Sequence, residues 1–251
     1  MKIGNVSGTV LKRSILKQLH TVRDESMFEP ASEEMCAGIR VKESAPVIFS
    51  GTSVYGSAKS IGIFAMARAV NDIAARGADP IGVDVQIQLP PYAYESRLKA
   101  MVEWMEQELF ALEQIWTARE HGASAIYQIG PGGILATLWE AAEAADVGLE
   151  ADMKKMSIQQ ETVEICEYFR LNPYQMTSVG SLLIFTQNGE ALVQKLQEAG
   201  KQAAVIGHTT NRKERVLSGG SERRFLDRPQ PDELARIYES FIEQDRKEGK
   251  V

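Results

Sequence analysis

With 251 residues, 44% of them hydrophobic and 25% charged, the chain has the length for one large domain or two small ones around a sizeable core. A net charge of −6 speaks against a nucleic-acid partner, because phosphate binding draws on clustered Lys and Arg, and here Arg212-Lys213 and Arg223-Arg224 are short and interleaved with acids. No run approaches the ~20 apolar residues of a membrane span, and dispersed charges in residues 1–20 leave no signal-peptide core, so a soluble, cytoplasmic protein is expected.

In chain order, Ser7 or Thr9 caps a first helix that carries Val10, Ile15 and Leu19. Residues 22–46 are polar and irregular. Val47-Ile48-Phe49 reads as a short strand ending in Ser50-Gly51-Thr52-Ser53. After Gly56, Ile63, Met66, Val70, Ile73 and Gly77 fall on one helical stripe. Pro80 forbids continuation, and Ile81, Val83, Val85, Ile87 and Leu89 alternate as a strand that Pro90-Pro91 ends.

Residues 95–121 contain neither Gly nor Pro, and Leu98, Met101, Met105, Leu109, Leu112 and Trp116 recur at three or four. The spacing predicts one unbroken helix of roughly 40 Å. Beyond Gly122 the elements shorten. They are a strand over 123–129, a glycine turn, a helix over 134–145, a strand near 149–158 and a helix over 161–169. A strand over 181–186, a helix over 189–199, a strand over 203–208 and a hairpin at Ser218-Gly219-Gly220 follow. A last amphipathic helix spans 232–247 through Leu234, Ile237, Phe241 and Ile242. This order predicts an α+β class with a mixed sheet, and a domain boundary near 121, giving domains of 1–121 and 122–251.

Cys36 and Cys166 form no CxxC and are expected to be buried and reduced; His20, His121 and His208 are too scattered for a zinc site. Asp72 is a candidate magnesium ligand, since hard cations take carboxylate oxygens, but Arg68 and Arg76 four residues either side allow an ion-pair ladder instead. Gly130-Pro131-Gly132-Gly133 joins a strand to a helix start, where free amides attract phosphate. No Lys-Ser/Thr follows, the G-x-G-x-x-G spacing fails, and Pro131 removes one donor, so a plain left-handed turn is an equal reading. The paired Glu33 and Glu34 would need a shielded environment for acid–base work. His208 stands beside two threonines without a partner pattern, and no GxSxG elbow supports a serine nucleophile.

The block from Gly56-Ser57-Ala58-Lys59 through Asn71-Asp72-Ile73-Ala74-Ala75-Arg76-Gly77-Ala78-Asp79-Pro80, followed by Gly132-Gly133-Ile134-Leu135, Leu138-Trp139-Glu140-Ala141-Ala142 and Ser178-Val179-Gly180-Ser181, resembles the aminoimidazole ribonucleotide (AIR) synthase-related, PurM-like superfamily. That group includes the hydrogenase-maturation dehydratase, selenophosphate synthase and thiamine-monophosphate kinase. The resemblance implies an N-terminal α/β domain that pairs with a copy of itself, and a C-terminal α+β domain covering an ATP cleft. It also implies activation of an amide- or phosphate-type oxygen by ATP, with magnesium held by several aspartates. Lys59, Asn71, Asp72, Gly130, Gly132 and Gly133 are the nucleotide- or phosphate-binding candidates it suggests, and Asp72, Glu33 and Glu34 the metal candidates.

The sequence departs from the pattern at four places. Glu33-Glu34 stand near the early acidic element, and Thr52 near the strand-end aspartate. The Gly-Gly-(Asp/Glu/His)-Thr loop is absent, and Gln128 replaces the acid before the second glycine pair. One helical carboxylate cannot assemble the magnesium ions that a triphosphate with about four negative charges requires. No cysteine stands near Lys247-Glu248-Gly249-Lys250-Val251 to serve as the dehydratase acceptor. The leading expectation is a reduced N-terminal domain fused through the long helix to the C-terminal domain, in a catalytically degenerate (pseudoenzyme) homodimer with a binding or regulatory role. An active Mg-ATP-dependent enzyme on a small substrate is the alternative, and a purely structural interaction protein the third.

Overall fold

The computed structural model describes residues 6–20, 23–27, 38–42, 45–56, 58–90, 93–105 and 111–237. The chain is α+β and divides into two compact units, Met1–Leu112 and Glu113–Val251. That division lies at the start of a helix, where the sequence reading put it near 121.

In the first unit, α1 (Gly8–Ser14) begins as expected, with Ser7 accepting from the Val10 amide. The main element is α2 (Ile61–Ala75), which buries Ile63, Ala67, Val70, Asn71 and Ala74. It packs on α3 (Glu95–Met105), whose Leu98, Met101, Val102 and Met105 are buried. The two helices approach closely because Gly62 has no side chain: a Cβ there would lie 2.2 Å from the Met101 carbonyl oxygen. Arg13 and Ser14 of α1 both bond Glu95, which fixes α1 against the start of α3.

Three expectations fail in this unit. Val47–Phe49 and 81–89 form no strands; Phe49 is 88% exposed, and Val83 and Val85 are exposed too. Alternating apolar residues give a strand only where a neighbouring strand takes up the backbone donors and acceptors, and no such neighbour stands among the described residues. The expected single helix over 95–121 is two helices, α3 and α4 (Leu112–Glu120), with Ala111 outside both and 106–110 outside the described residues. The Asn71 side-chain oxygen takes the Ala111 amide at 2.9 Å, a partner for an amide just ahead of a helix start, where no intrahelical acceptor is available.

In the second unit the sequence reading holds more closely. β1 (Ala123–Gln128) pairs antiparallel with β3 (Leu182–Thr186). The second sheet has the order β4-β2-β5-β6, built from β2 (Gly148–Asp152), β4 (Gly207–Thr210), β5 (Arg215–Gly219) and β6 (Glu222–Phe225). It is mixed: β2 runs antiparallel to β4 and parallel to β5, and β5 makes the expected hairpin with β6. β4 begins at Gly207, so only the end of the predicted 203–208 strand is realised, and β2 is correspondingly shorter than 149–158.

α5 (Gly133–Ala144), α6 (Gln160–Phe169) and α7 (Gly189–Glu198) fall where predicted. Leu135, Leu138, Ala141 and Ala142 of α5 pack with Leu149, Leu183, Leu217 and Leu226 to form the core. Residues 233–237 are helical, and the rest of the predicted final helix lies outside the described residues. Cys166 is free and buried, its thiol pushed up by burial and by the nearby Glu233 carboxylate. Cys36 lies outside the described residues.

Candidate functional site

The two families of candidate residues lie in different units. In the first, Lys59 is exposed in the turn that leads into α2. Asn71 is fully buried on the α2 face that meets α3, with its Oδ1 on the Ala111 amide and its Nδ2 without a partner among the described residues. Asn71 therefore acts on the backbone of this unit. Asp72, the next residue, is half-buried. Burial raises its carboxyl above the ordinary value; Arg68, Arg76 and a hydrogen bond with Ser50 oppose the shift without cancelling it. Glu33 and Glu34 lie outside the described residues, and no group of three or more His, Cys, Asp or Glu among the described residues could hold a metal ion.

The glycine turn occupies the second unit. Gly132 and Gly133 have φ of 79° and 67°, a left-handed pair that only glycine adopts freely, and Gly132 caps α5. Both are buried. A Cβ on Gly133 would lie 2.4 Å from the Tyr174 carbonyl oxygen, and one on Gly132 2.8 Å from the Gln230 carbonyl oxygen. The turn is thus covered by backbone from two later segments of the chain.

Two of its amides are engaged, that of Gly133 donating to the Gly130 carbonyl at 3.0 Å. The Gly132 amide donates to Asp232 Oδ2 at 3.0 Å, and the Thr177 amide and hydroxyl both donate to the same oxygen at 2.7 Å. Asp232 Oδ1 accepts the Leu234 amide at 2.9 Å. Gln128 ends β1 with its Oε1 buried and unpartnered among the described residues. Beside the turn is a cavity of about 50 Å³, lined by Gly132, Ala136, Asn172, Arg224 and Gln230 among others, room for water and little else.

Thr177 and Asp232 were not among the residues the sequence singled out. The only local signal was an Asp after Pro231 at the head of a helical pattern, which reads as a cap. Its three distant donors have no signature in the sequence.

Comparison with known proteins places these motifs. The C-terminal domain of the AIR synthase related proteins matches residues 88–219, and the N-terminal domain matches residues 34–113. The chain belongs to the AIR synthase related family. Among its relatives, the carbamoyl dehydratase HypE of Rhodobacter capsulatus is 27% identical over 125 residues, which is 46% of this chain and 36% of that protein. A Methanocaldococcus jannaschii protein named for hydrogenase expression and formation is 28% identical over 111 residues, 42% of this chain and 33% of that one. Among solved structures, HypE of E. coli, a hydrogenase maturation protein, is similar at 29% identity with a TM-score of 0.46, covering 50% of this chain and 41% of that one. The chain spans about a third of the length of the curated relatives it matches.

The described residues alone fit a magnesium-bound triphosphate poorly. Asp72 belongs to no group of three or more possible metal ligands among the described residues, and the Gly132 amide of the glycine turn already holds a carboxylate of the chain itself. No helix among the described residues is long and apolar enough to cross a membrane.

Proposed function

We propose that this AIR synthase related protein is a catalytically degenerate member that acts as a cytoplasmic binding or regulatory homodimer. The observation that carries the proposal is the state of its two polar centres. Phosphoryl chemistry in a metal-dependent site needs several carboxylates that stay charged and free donors for the phosphates. Among the described residues Asp72 belongs to no group of three or more His, Cys, Asp or Glu that could hold a metal ion, and the Gly132 and Thr177 donors are taken by Asp232.

The reduced first domain is supported by the family matches themselves, which overlap over residues 88–113 and leave no room for a segment between the two domains. The homodimer is supported by the apolar stretches around Val47–Phe49 and Val83–Val85, which are exposed and find no strand partner among the described residues. Exposed apolar stretches of this kind mark a surface that a second copy would cover. Lys59 and Asp72 on one unit, and Gly130, Gly132 and Gly133 on the other, are what remains of the ligand-binding residues.

A second reading, an active Mg-ATP-dependent dehydratase, draws on the likeness to the carbamoyl dehydratase of Rhodobacter capsulatus. Calorimetric titration of Mg-ATP into the protein, with the solution mass measured on the same sample, separates the two. The degenerate homodimer gives a mass of twice the chain and no tight, magnesium-dependent nucleotide binding. Micromolar binding that vanishes on removing magnesium, or a monomer at micromolar concentration, would count against it.

A further inference from the structure

The Gly132 turn is not empty, and what fills it comes from the far end of the same unit. One oxygen of Asp232 accepts three donors from two separate places, Gly132 at 3.0 Å and the amide and hydroxyl of Thr177 at 2.7 Å each. Charge-assisted bonds of this length are the strong kind, and the N-terminus of α5 adds its positive end. A residue serving only as a helix cap would need a local bond alone. Asp232 has that bond, to Leu234, and three others besides.

The residues around Asp232 form a continuous tie across the turn. Leu226 is buried, and its amide donates to the Arg215 carbonyl at 2.8 Å, which anchors the start of the segment on the sheet. The Gln230 carbonyl sits over Gly132, close enough that a methyl there would collide. Past Asp232, the Arg236 guanidinium donates to the Arg170 carbonyl at the end of α6.

We infer that Asp232 is an intramolecular latch: its carboxylate occupies the donors at Gly132 and Thr177, straps residues 227–237 across the turn, and so keeps an external anion out. The inference rests on reading that turn as an anion site and adds what occupies it. The latch replaces a phosphate oxygen by a carboxylate oxygen of the chain itself. An external anion reaches these donors only when the strap lifts.

The test uses the full chain and two variants, Asp232→Ala and Asp232→Asn. Asparagine also caps helices, so the second variant keeps the bond to Leu234 while removing the charge. Residue-resolved amide hydrogen exchange is read at Gly132, at Thr177 and along 227–237, with α5 amides such as Leu138 as an internal control for folding. The latch predicts exchange at least about tenfold faster at Gly132 and Thr177 in both variants with the α5 control unmoved. Unchanged exchange at those two amides overturns it.

Sodium pyrophosphate is then titrated into each protein and followed at the same two amides. Binding at least about tenfold tighter in Asp232→Ala than in the parent supports exclusion by the strap. Equal affinity in both overturns exclusion but keeps the turn as an anion site. Faster exchange with no pyrophosphate bound by either protein overturns both the exclusion and the anion-site reading. If Asp232→Ala does not fold, Asp232→Asn carries the same comparison.

Discussion

The side-chain oxygen of Asn71 accepts the backbone amide of Ala111 at 2.9 Å, and both groups are buried. The contact ties α2 to the backbone at Ala111, within the same unit, and gives that buried amide a partner. It also explains why the most suggestive dipeptide in the chain splits its duties. Asn71 faces inward and supports backbone, while Asp72 faces a half-buried polar setting.

Removing that contact is expected to be costly. Asn71→Ala leaves the Ala111 amide unpaired in the interior, and a stranded buried donor costs about 1–3 kcal/mol. Urea denaturation should show a lower midpoint at an unchanged slope. A midpoint equal to the parent's would mean that water or a nearby group takes over the bond.

The close approach of α2 and α3 makes a second expectation. In Gly62→Ala the new methyl would meet the Met101 carbonyl at 2.2 Å, which is backbone and cannot rotate away. The helices must separate, at a cost of about 1–3 kcal/mol or more. Thermal unfolding followed by circular dichroism reads the loss directly, and a variant as stable as the parent would contradict the helix spacing described above.

Two carboxyls give opposite pH behaviour. Glu95 is held down to about 2 from an ordinary 4.5, first by its bond with Arg13 and then by Ser14. A carboxyl depressed in the folded state stabilises the fold above its unfolded value, and that contribution is lost as pH falls from about 4.5 toward about 2. Glu95→Gln should therefore be less stable than the parent at pH 7, and the gap should close at low pH. The pair is solvent-facing, so added salt should shrink the gap too.

Asp72 is raised, so the sign reverses. The folded state binds its proton more tightly than the unfolded chain, and stability is lost as pH rises through the raised value. Asp72→Asn should gain stability relative to the parent between acid and neutral pH. A difference that is flat with pH would remove the argument that this carboxylate is desolvated.

The second unit was the more legible part of the sequence because its signals are local. Apolar stripes such as Leu135, Leu138 and Ala142, broken by Gly122, Gly132-Gly133 and Gly220, set α5 and the hairpin with little help from distant residues. The first unit misled for the opposite reason. Val83, Val85 and Ile87 alternate like a strand, but alternation states a preference that only a partner edge fulfils. The residues 95–121 carry no breaker, yet Ala111 stands outside both helices, its amide bonded to Asn71 40 positions earlier. The candidate site shows the same limit. Gly132 and Gly133 announced a turn, whereas the anion that fills it stands 100 positions from Gly132 and 55 from Thr177, in a stretch that read only as a helix start.

The central claim, that this family member has given up phosphoryl chemistry, is tested most directly by phosphate release from Mg-ATP by the purified full chain and by Asp72→Ala. The account predicts release no faster than the buffer background for both proteins, with or without Asp232→Ala to free the glycine turn. Steady turnover by the parent that collapses in Asp72→Ala would contradict it.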